Sequence, residues 1–331
     1  MQLRRVQRRG RIMSMSDLIK KIKCAMLCNA RQCWEQGIAA CAMAELGEMD
    51  LLVPMCHDII IRQKEDGRLC DVENTPTLTD PALCIAPVLE VARYTGDLRF
   101  AEAAEKNIRY LLERATRNEH GVLYHLAGTR EIWADSAAMT PANLVRAGHA
   151  DFGILQMDGV CDCLYNETTG LYAHIWDDEL RKWTSPESWG TGNGWIAVGL
   201  AWLMLELDAA SPDTGRMLRR YCGLADAMDR YRLPNGLFHA DIDDTESFVD
   251  CAGAVMLAYS ALKLRYAGFD QPSILREEKW AYRIIDEVKE RVDQWGFIRE
   301  CPGSPNFREA GTSTEMQAFY LMLCAVAEKM E

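Results

Sequence analysis

The sequence predicts an all-α protein, a ring of twelve helices arranged as six hairpins: the (α/α)6 toroid. Three observations predict it. Two kinds of helical segment alternate, a glycine-centred motif recurs about once per hairpin, and long connections alternate with short turns.

The first kind of segment is amphipathic, with charge on one face: about 16–31, 50–65, 99–115, 151–165, 214–230 and 274–291. In 99–115, Phe100, Ala103, Ala104, Ile108, Leu111 and Leu112 form one stripe. Glu102, Glu105, Lys106 and Arg109 point away from it. The second kind is apolar nearly all round: about 33–46, 81–94, 136–149, 194–207, 250–266 and 314–329. A helix without a polar face is covered on every side, so these six form an inner ring and the amphipathic six an outer one.

The motif reads GRLCD at Gly67, GVLYH at Gly121, GLYAH at Gly170, GLFHA at Gly236 and GFIRE at Gly296, with spacings of 54, 49, 66 and 60 residues. Six hairpins in 331 residues average about 55 each, so five of the six carry one copy. The glycine predicts a turn and the following apolar pair a short extended stretch. Every copy lies in an outer-to-inner connection. The inner-to-outer turns, such as TGD at 95–97 and GHAD at 148–151, are short. All long loops therefore gather on one rim, where sites on rigid scaffolds are built. The inner helices begin there too, and their free N–H groups favour an anionic ligand.

Bulk properties narrow the function. The chain is 49% hydrophobic with a net charge of -12, which disfavours nucleic acid, and no uninterrupted apolar run is long enough to span a membrane. No linker divides residues 16–331, which are expected to form one catalytic domain. Residues 1–15 have the basic flank of a signal peptide without its apolar core, and are expected to be a disordered or non-native extension ahead of a start at Met13 or Met15. The 13 cysteines include no CxxC pair, and Cys161 and Cys163 lack companions for zinc. They are expected to be reduced thiols of a cytoplasmic protein, and neither a metal nor a cofactor is expected. The oligomeric state is open.

The unusual residues stand where inner helices start: Asp80, Asp135, Trp189, Asn193, Trp195, Glu246, Ser247, Thr312, Ser313 and Glu315, with His125 and His174 in the preceding loops. Helix capping is the plainer role for Asn193, Glu246, Ser247 and Ser313. Asp80 precedes Pro81, which predicts a cap as well. Asp135 lies between Trp133 and a run of small residues, and apolar surroundings are expected to raise its pKa, as suits a general acid. Two carboxylates on adjacent inner helices facing one cavity suit sugar chemistry. Trp189 and Trp195 flank a GTGNG turn and could stack on a sugar ring, whereas Trp202 reads as core. GTGNG follows no strand and contains no Lys, so nucleotide binding is rejected. His120 and His239 are given no role.

WGTGNGW (189–195), IWADSAAMTP (132–141), TGD (95–97) and GLYAHIWD (170–177) resemble the unsaturated rhamnogalacturonyl hydrolases, glycoside hydrolase family 105, related to the unsaturated glucuronyl hydrolases of family 88. The resemblance runs from about Trp34 to the end. It implies removal of a 4,5-unsaturated uronic acid from the non-reducing end of lyase-generated oligosaccharides by hydration of a vinyl ether, without metal or cofactor. It also implies Asp135 as acid/base, Asp80 as the second carboxylate, His174 as a substrate ligand near the acid, and Trp189 and Trp195 as subsite walls. Trp133, Asn193 and His125 complete the expected binding set. The chain departs from the pattern at Thr191, where the family usually has Arg. Arg would fork onto a sugar carboxylate, and Thr cannot. Arg130 or Arg308 could supply the cation instead. Two alternatives stay open: another (α/α)6 carbohydrate enzyme, such as an inverting glycosidase or an epimerase, and a catalytically impaired sugar-binding relative.

Overall fold

A computed structural model describes residues 14–70 and 76–330. The outer helices are α1 (Met15–Asn29), α3 (Met49–Ile61), α5 (Leu98–Glu113), α8 (Ala150–Leu164), α10 (Pro212–Asp229) and α12 (Pro272–Lys289). The inner ones are α2 (Cys33–Glu45), α4 (Ile85–Thr95), the pair α6 (Ser136–Met139) and α7 (Pro141–Arg146), α9 (Gly190–Glu206), α11 (Ala252–Tyr266) and α13 (Thr314–Met330). A 3-10 turn, Asp80–Cys84, leads into α4. The inner ring closes on itself. The turn at Asp80 packs on α2 and α6, α6 on α9, α9 on α11, α11 on α13, and α13 back on α2. The fold is the expected (α/α)6 toroid.

The two kinds of segment separate as their patterns require. The inner helix α9 buries 14 of its 17 residues, while the outer helix α12 buries 6 of 18. One difference from expectation lies in the third inner helix, which breaks at Thr140. Pro141 has no N–H to continue the helical ladder there. Another lies at the N-terminus. Residues 1–13 of the expected extension lie outside the described residues, but Ser14 caps α1 through the Asp17 N–H and Met15 is its first residue.

All five motif glycines adopt positive φ, from 73° at Gly170 to 106° at Gly67. Each closes a tight turn, and the residue two places on is buried: Leu69, Leu123, Tyr172, Phe238 and Ile298. At Gly296 a Cβ would also meet the Lys21 carbonyl at 2.4 Å, so the turn could not lie against α1 with any other residue.

The long loops on the rim carry short antiparallel ribbons. β1 (Glu131–Trp133), β2 (Ile175–Asp177) and β3 (Lys182–Ser185) form one sheet; β4 (Phe238–His239) pairs with β5 (Val249–Asp250), and β6 (Cys301–Gly303) with β7 (Asn306–Gly311). Among the described residues no helix is long and apolar enough to cross a membrane.

Candidate active site

The rim encloses a deep cavity of about 130 Å³ lined by Trp34, Asp80, His125, Asp135, His174, Trp189, Thr191, Trp195, Phe307 and Glu315, among others. An outer chamber of about 380 Å³ adjoins it and shares His174, Trp189 and Phe307. The chamber adds Glu187, Asp241, Glu246 and Arg308.

The sheet positions the centre. Trp133 in β1 pairs with Ile175 in β2, and the Ala134 N–H donates to the His174 carbonyl at 3.0 Å. Asp135 and His174 are thereby brought together. His174 Nε2 stands 3.6 Å from Asp135 Oδ2, beyond hydrogen-bond length, and neither atom has a protein partner. Trp133 stacks on His125 at 4.4 Å between ring centroids and meets His174 edge-on at 5.4 Å. Its indole N–H donates to Glu131, so it braces both histidines. Trp189 packs against His174 at 4.6 Å, and its own indole nitrogen is buried without a partner.

Asp80 corrects the cap expectation. Thr79 holds the N-cap position, and the Asp80 carboxylate makes no cap. It lies 3.5 Å from His125 Nε2 instead, while His125 Nδ1 meets the Thr79 and Ser136 hydroxyls at 2.8 and 3.1 Å. Burial, with Asp135 and Glu315 nearby, raises the Asp80 pKa well above the carboxylate range. Burial also lowers His125 to about 4, so this histidine is neutral.

Asp135 corrects a second expectation. Burial pushes its pKa up, but His174 and then His125 outweigh burial, and the net shift is downward. Sequence reasoning set His174 near the acid but took the direction of the pKa shift from the apolar neighbours alone. The two carboxyl groups of the cavity are thus shifted in opposite directions, Asp80 up and Asp135 down.

Asn193 is a third correction. It lies inside α9 rather than capping it, and it is buried. Its side-chain oxygen accepts from the Tyr172 N–H, while its amide donates to the Tyr172 and Trp189 carbonyls. It ties down the loop that carries His174 and does not line the cavity. Thr191 does line it, and its hydroxyl donates to buried Asp250 at 3.4 Å. Burial raises Asp250 to about 7. Trp195 is almost wholly buried, its ring edge-on to Phe319. Ser313 caps α13 as expected, through the Met316 N–H. Glu246 and Ser247 instead lie in the loop before β5, where the Ser247 hydroxyl accepts from the Asp241 N–H. Of the two candidate cations, Arg308 lines the outer chamber, whereas exposed Arg130 lies beside Glu179. Sequence reasoning gave no role to Trp34, Phe307 or Asp250, and left Glu315 out of the site. No local signal marks the first three.

The model of Glycosyl Hydrolase Family 88 matches residues 9–299. The unsaturated rhamnogalacturonyl hydrolase YesR of Bacillus subtilis (strain 168) is 26% identical over 277 residues, 78% of this chain and 76% of that protein. An unsaturated 3S-rhamnoglycuronyl hydrolase of Alteromonas sp. (strain LOR) is 24% identical over 135 residues, 37% of this chain and 33% of that protein. Among solved structures, a possible member of the GH105 family from Salmonella enterica aligns with TM-score 0.82 at 13% identity, covering 98% of this chain and 97% of that one. An unsaturated glucuronyl hydrolase specific for heparin aligns with TM-score 0.72 at 13% identity, covering 95% of each chain. These structural likenesses establish the shared fold.

Proposed function

The chain belongs to Glycosyl Hydrolase Family 88, and from that premise we propose that it releases a 4,5-unsaturated uronic acid from the non-reducing end of lyase-generated oligosaccharides of the pectin or rhamnogalacturonan type. One observation carries the reading. Asp135 and Asp80, their pKa values shifted down and up respectively, line one cavity, and Asp135 Oδ2 and His174 Nε2 have no protein partner there.

The chemistry follows from those groups. The uronate brings a negative charge and expels water, and both raise the Asp135 pKa until it holds a proton. Asp135 gives that proton to C4 of the double bond, and the positive charge is shared between C5 and the ring oxygen. Water adds at C5 and returns a proton to Asp135. The C5 hemiketal opens to a ketone, leaving a hemiacetal at C1 that expels the shortened oligosaccharide. His174 orients the uronate beside Asp135. Asp80, its pKa raised by burial beside His125, holds a sugar hydroxyl. Trp189 and Phe307 wall the passage to the outer chamber, where Arg308 replaces the cation lost at Thr191. Trp195 and Thr191 line the deep wall, while Trp133, His125 and Asn193 brace it. Residues 16–331 act as one catalytic domain preceded from Ser14 by the start of α1. The unpaired cysteines support a reducing compartment, and we assign the enzyme to the cytoplasm.

Lyase-generated unsaturated disaccharides test the reading. The absorbance of the C=C bond should decay with wild-type protein and persist with Asp135→Asn. Cleavage of a saturated glycoside, with no decay on any unsaturated uronide, would sink it.

A further inference from the structure

The deep cavity has a third carboxylate. Glu315 lies in the first turn of α13 and is only 5% exposed. Its Oε1 accepts from the Trp34 indole N–H at 2.7 Å. Its Oε2 is buried, has no protein partner, and belongs to a side chain lining the cavity beside Asp80 and Asp135. Neighbouring Glu35 is the contrasting case. One of its oxygens accepts from the Arg31 and Gln32 N–H groups, and the other from the Thr314 hydroxyl. Of two adjacent buried glutamates, one is used up in holding helix starts and the other keeps an acceptor free.

That acceptor calls for a donor. A sugar hydroxyl supplies one, whereas a sulfate ester has no hydrogen to give. Among the described residues lining the deep cavity there is no Lys or Arg, and the titratable groups are Asp80, Asp135 and Glu315 with His125 and His174. A sulfate there would face carboxyl groups with no guanidinium or ammonium to balance it.

We propose that Glu315 Oε2 accepts a hydrogen bond from a ring hydroxyl of the uronate, and so restricts the deep cavity to uronides unsulfated on that ring. The proposal rests on the hydrolase reading for the identity of the sugar. Trp34 is the positioning residue. Its indole N–H occupies one glutamate oxygen and leaves the other for the ligand.

The test uses the full chain above pH 7, where Glu315, raised to about 7 by burial and by Glu35, is ionised. Two probes are compared: an unsaturated disaccharide without sulfate, and its counterpart sulfated on the uronate ring. Turnover is followed by loss of the C=C absorbance, and binding by quenching of tryptophan fluorescence. Glu315→Gln should raise KM and the dissociation constant of the unsulfated probe by about tenfold or more, with a much smaller change in kcat. The preference for the unsulfated probe should shrink by a similar factor. Trp34→Phe should weaken binding in the same sense while keeping part of the preference. Unchanged affinity and preference in Glu315→Gln, with only a lower melting temperature, would show a structural role and overturn the proposal. Binding by wild type without turnover would defeat the hydrolase reading alone, and the affinity ratio would still decide the role of Glu315. Failure of wild type to bind either probe would overturn both.

Discussion

The two ends of the ring are built from the same six inner helices, yet they treat charge in opposite ways. At the end remote from the long loops lies the larger cavity, about 430 Å³, lined by Glu45, Glu90, Arg146, Glu206, Lys263 and Lys329, among others. Every one of these charges has a partner. Lys263 and Lys329 both meet Glu45, Arg146 meets Glu206, and Glu90 meets Arg93. The cations stand at helix C-termini, where the dipole favours them. At the loop end the deep cavity is smaller, about 130 Å³, and its carboxyl groups have no Lys or Arg beside them among the described lining residues. Asp135, His174, Trp189 and Glu315 each leave a buried polar atom unsatisfied there. Cavity size alone therefore favours the paired end. Unsatisfied polar groups, costly in a fold that had no use for them, favour the loop end, where the proposed site lies.

The largest effect that would break this comparison is catalytic. Asp135→Asn and Asp80→Asn should each lower kcat by roughly 10²–10⁴-fold, the range for losing a positioned proton donor or its partner. Asp80→Asn should not cost stability, because it removes a buried carboxyl without changing its shape. Asp135→Asn should cost a little at neutral pH, because His174 and His125 favour the charged carboxylate. Denaturant midpoints measured beside kcat check both halves. A variant that keeps kcat but loses its midpoint would reassign that aspartate to structure.

The next effect is on stability. Asp250 behind Thr191 is raised to about 7 by burial, from an unfolded value near 4. Its folded-state pKa lies above its unfolded one, so the stability it contributes is complete below about pH 4 and is lost as pH rises to about 7. Asp250→Asn should flatten the fall of the midpoint across that window. Glu45 has the opposite sign. Burial pushes its pKa up, but Lys263 and Lys329 outweigh burial and leave it lowered. Its contribution is present above the unfolded carboxylate value and is lost as pH falls through the folded one.

How much of this was legible in the sequence differs between scaffold and site. The twelve helices and the five glycine turns follow from periodicity and from backbone geometry, both local, and they were legible. So was the rim, because long loops and inner-helix starts coincide there. The protonation of the site was not. Asp135 looked apolar because its sequence neighbours are, whereas His174 and His125 arrive through β-pairing and loop closure. Asp80 looked like a cap because Pro81 follows it, yet Thr79 takes the cap position and turns Asp80 toward His125. Asn193 read as a helix cap and, through the family resemblance, as part of the binding set, whereas its amide is spent on the Tyr172 backbone. Glu315 differs from Glu35 only in what surrounds each oxygen, which no local pattern records.

The smallest effect expected on catalysis belongs to the paired end. Glu45→Gln removes the carboxylate shared by Lys263 and Lys329 and leaves one partly buried and one exposed ammonium group without it. At pH 7 this should cost about 1–3 kcal/mol, between the values for exposed and buried pairs. The cost should shrink as pH falls and the wild-type carboxylate protonates. The steady-state kcat should not change, since no atom of Glu45 reaches the deep cavity or the outer chamber. Urea midpoints at pH 7 and pH 4, taken beside kcat, make the check. A fall in kcat with the midpoint intact would mean that the paired end communicates with the unpaired one through the inner helices, and the division between them would fail.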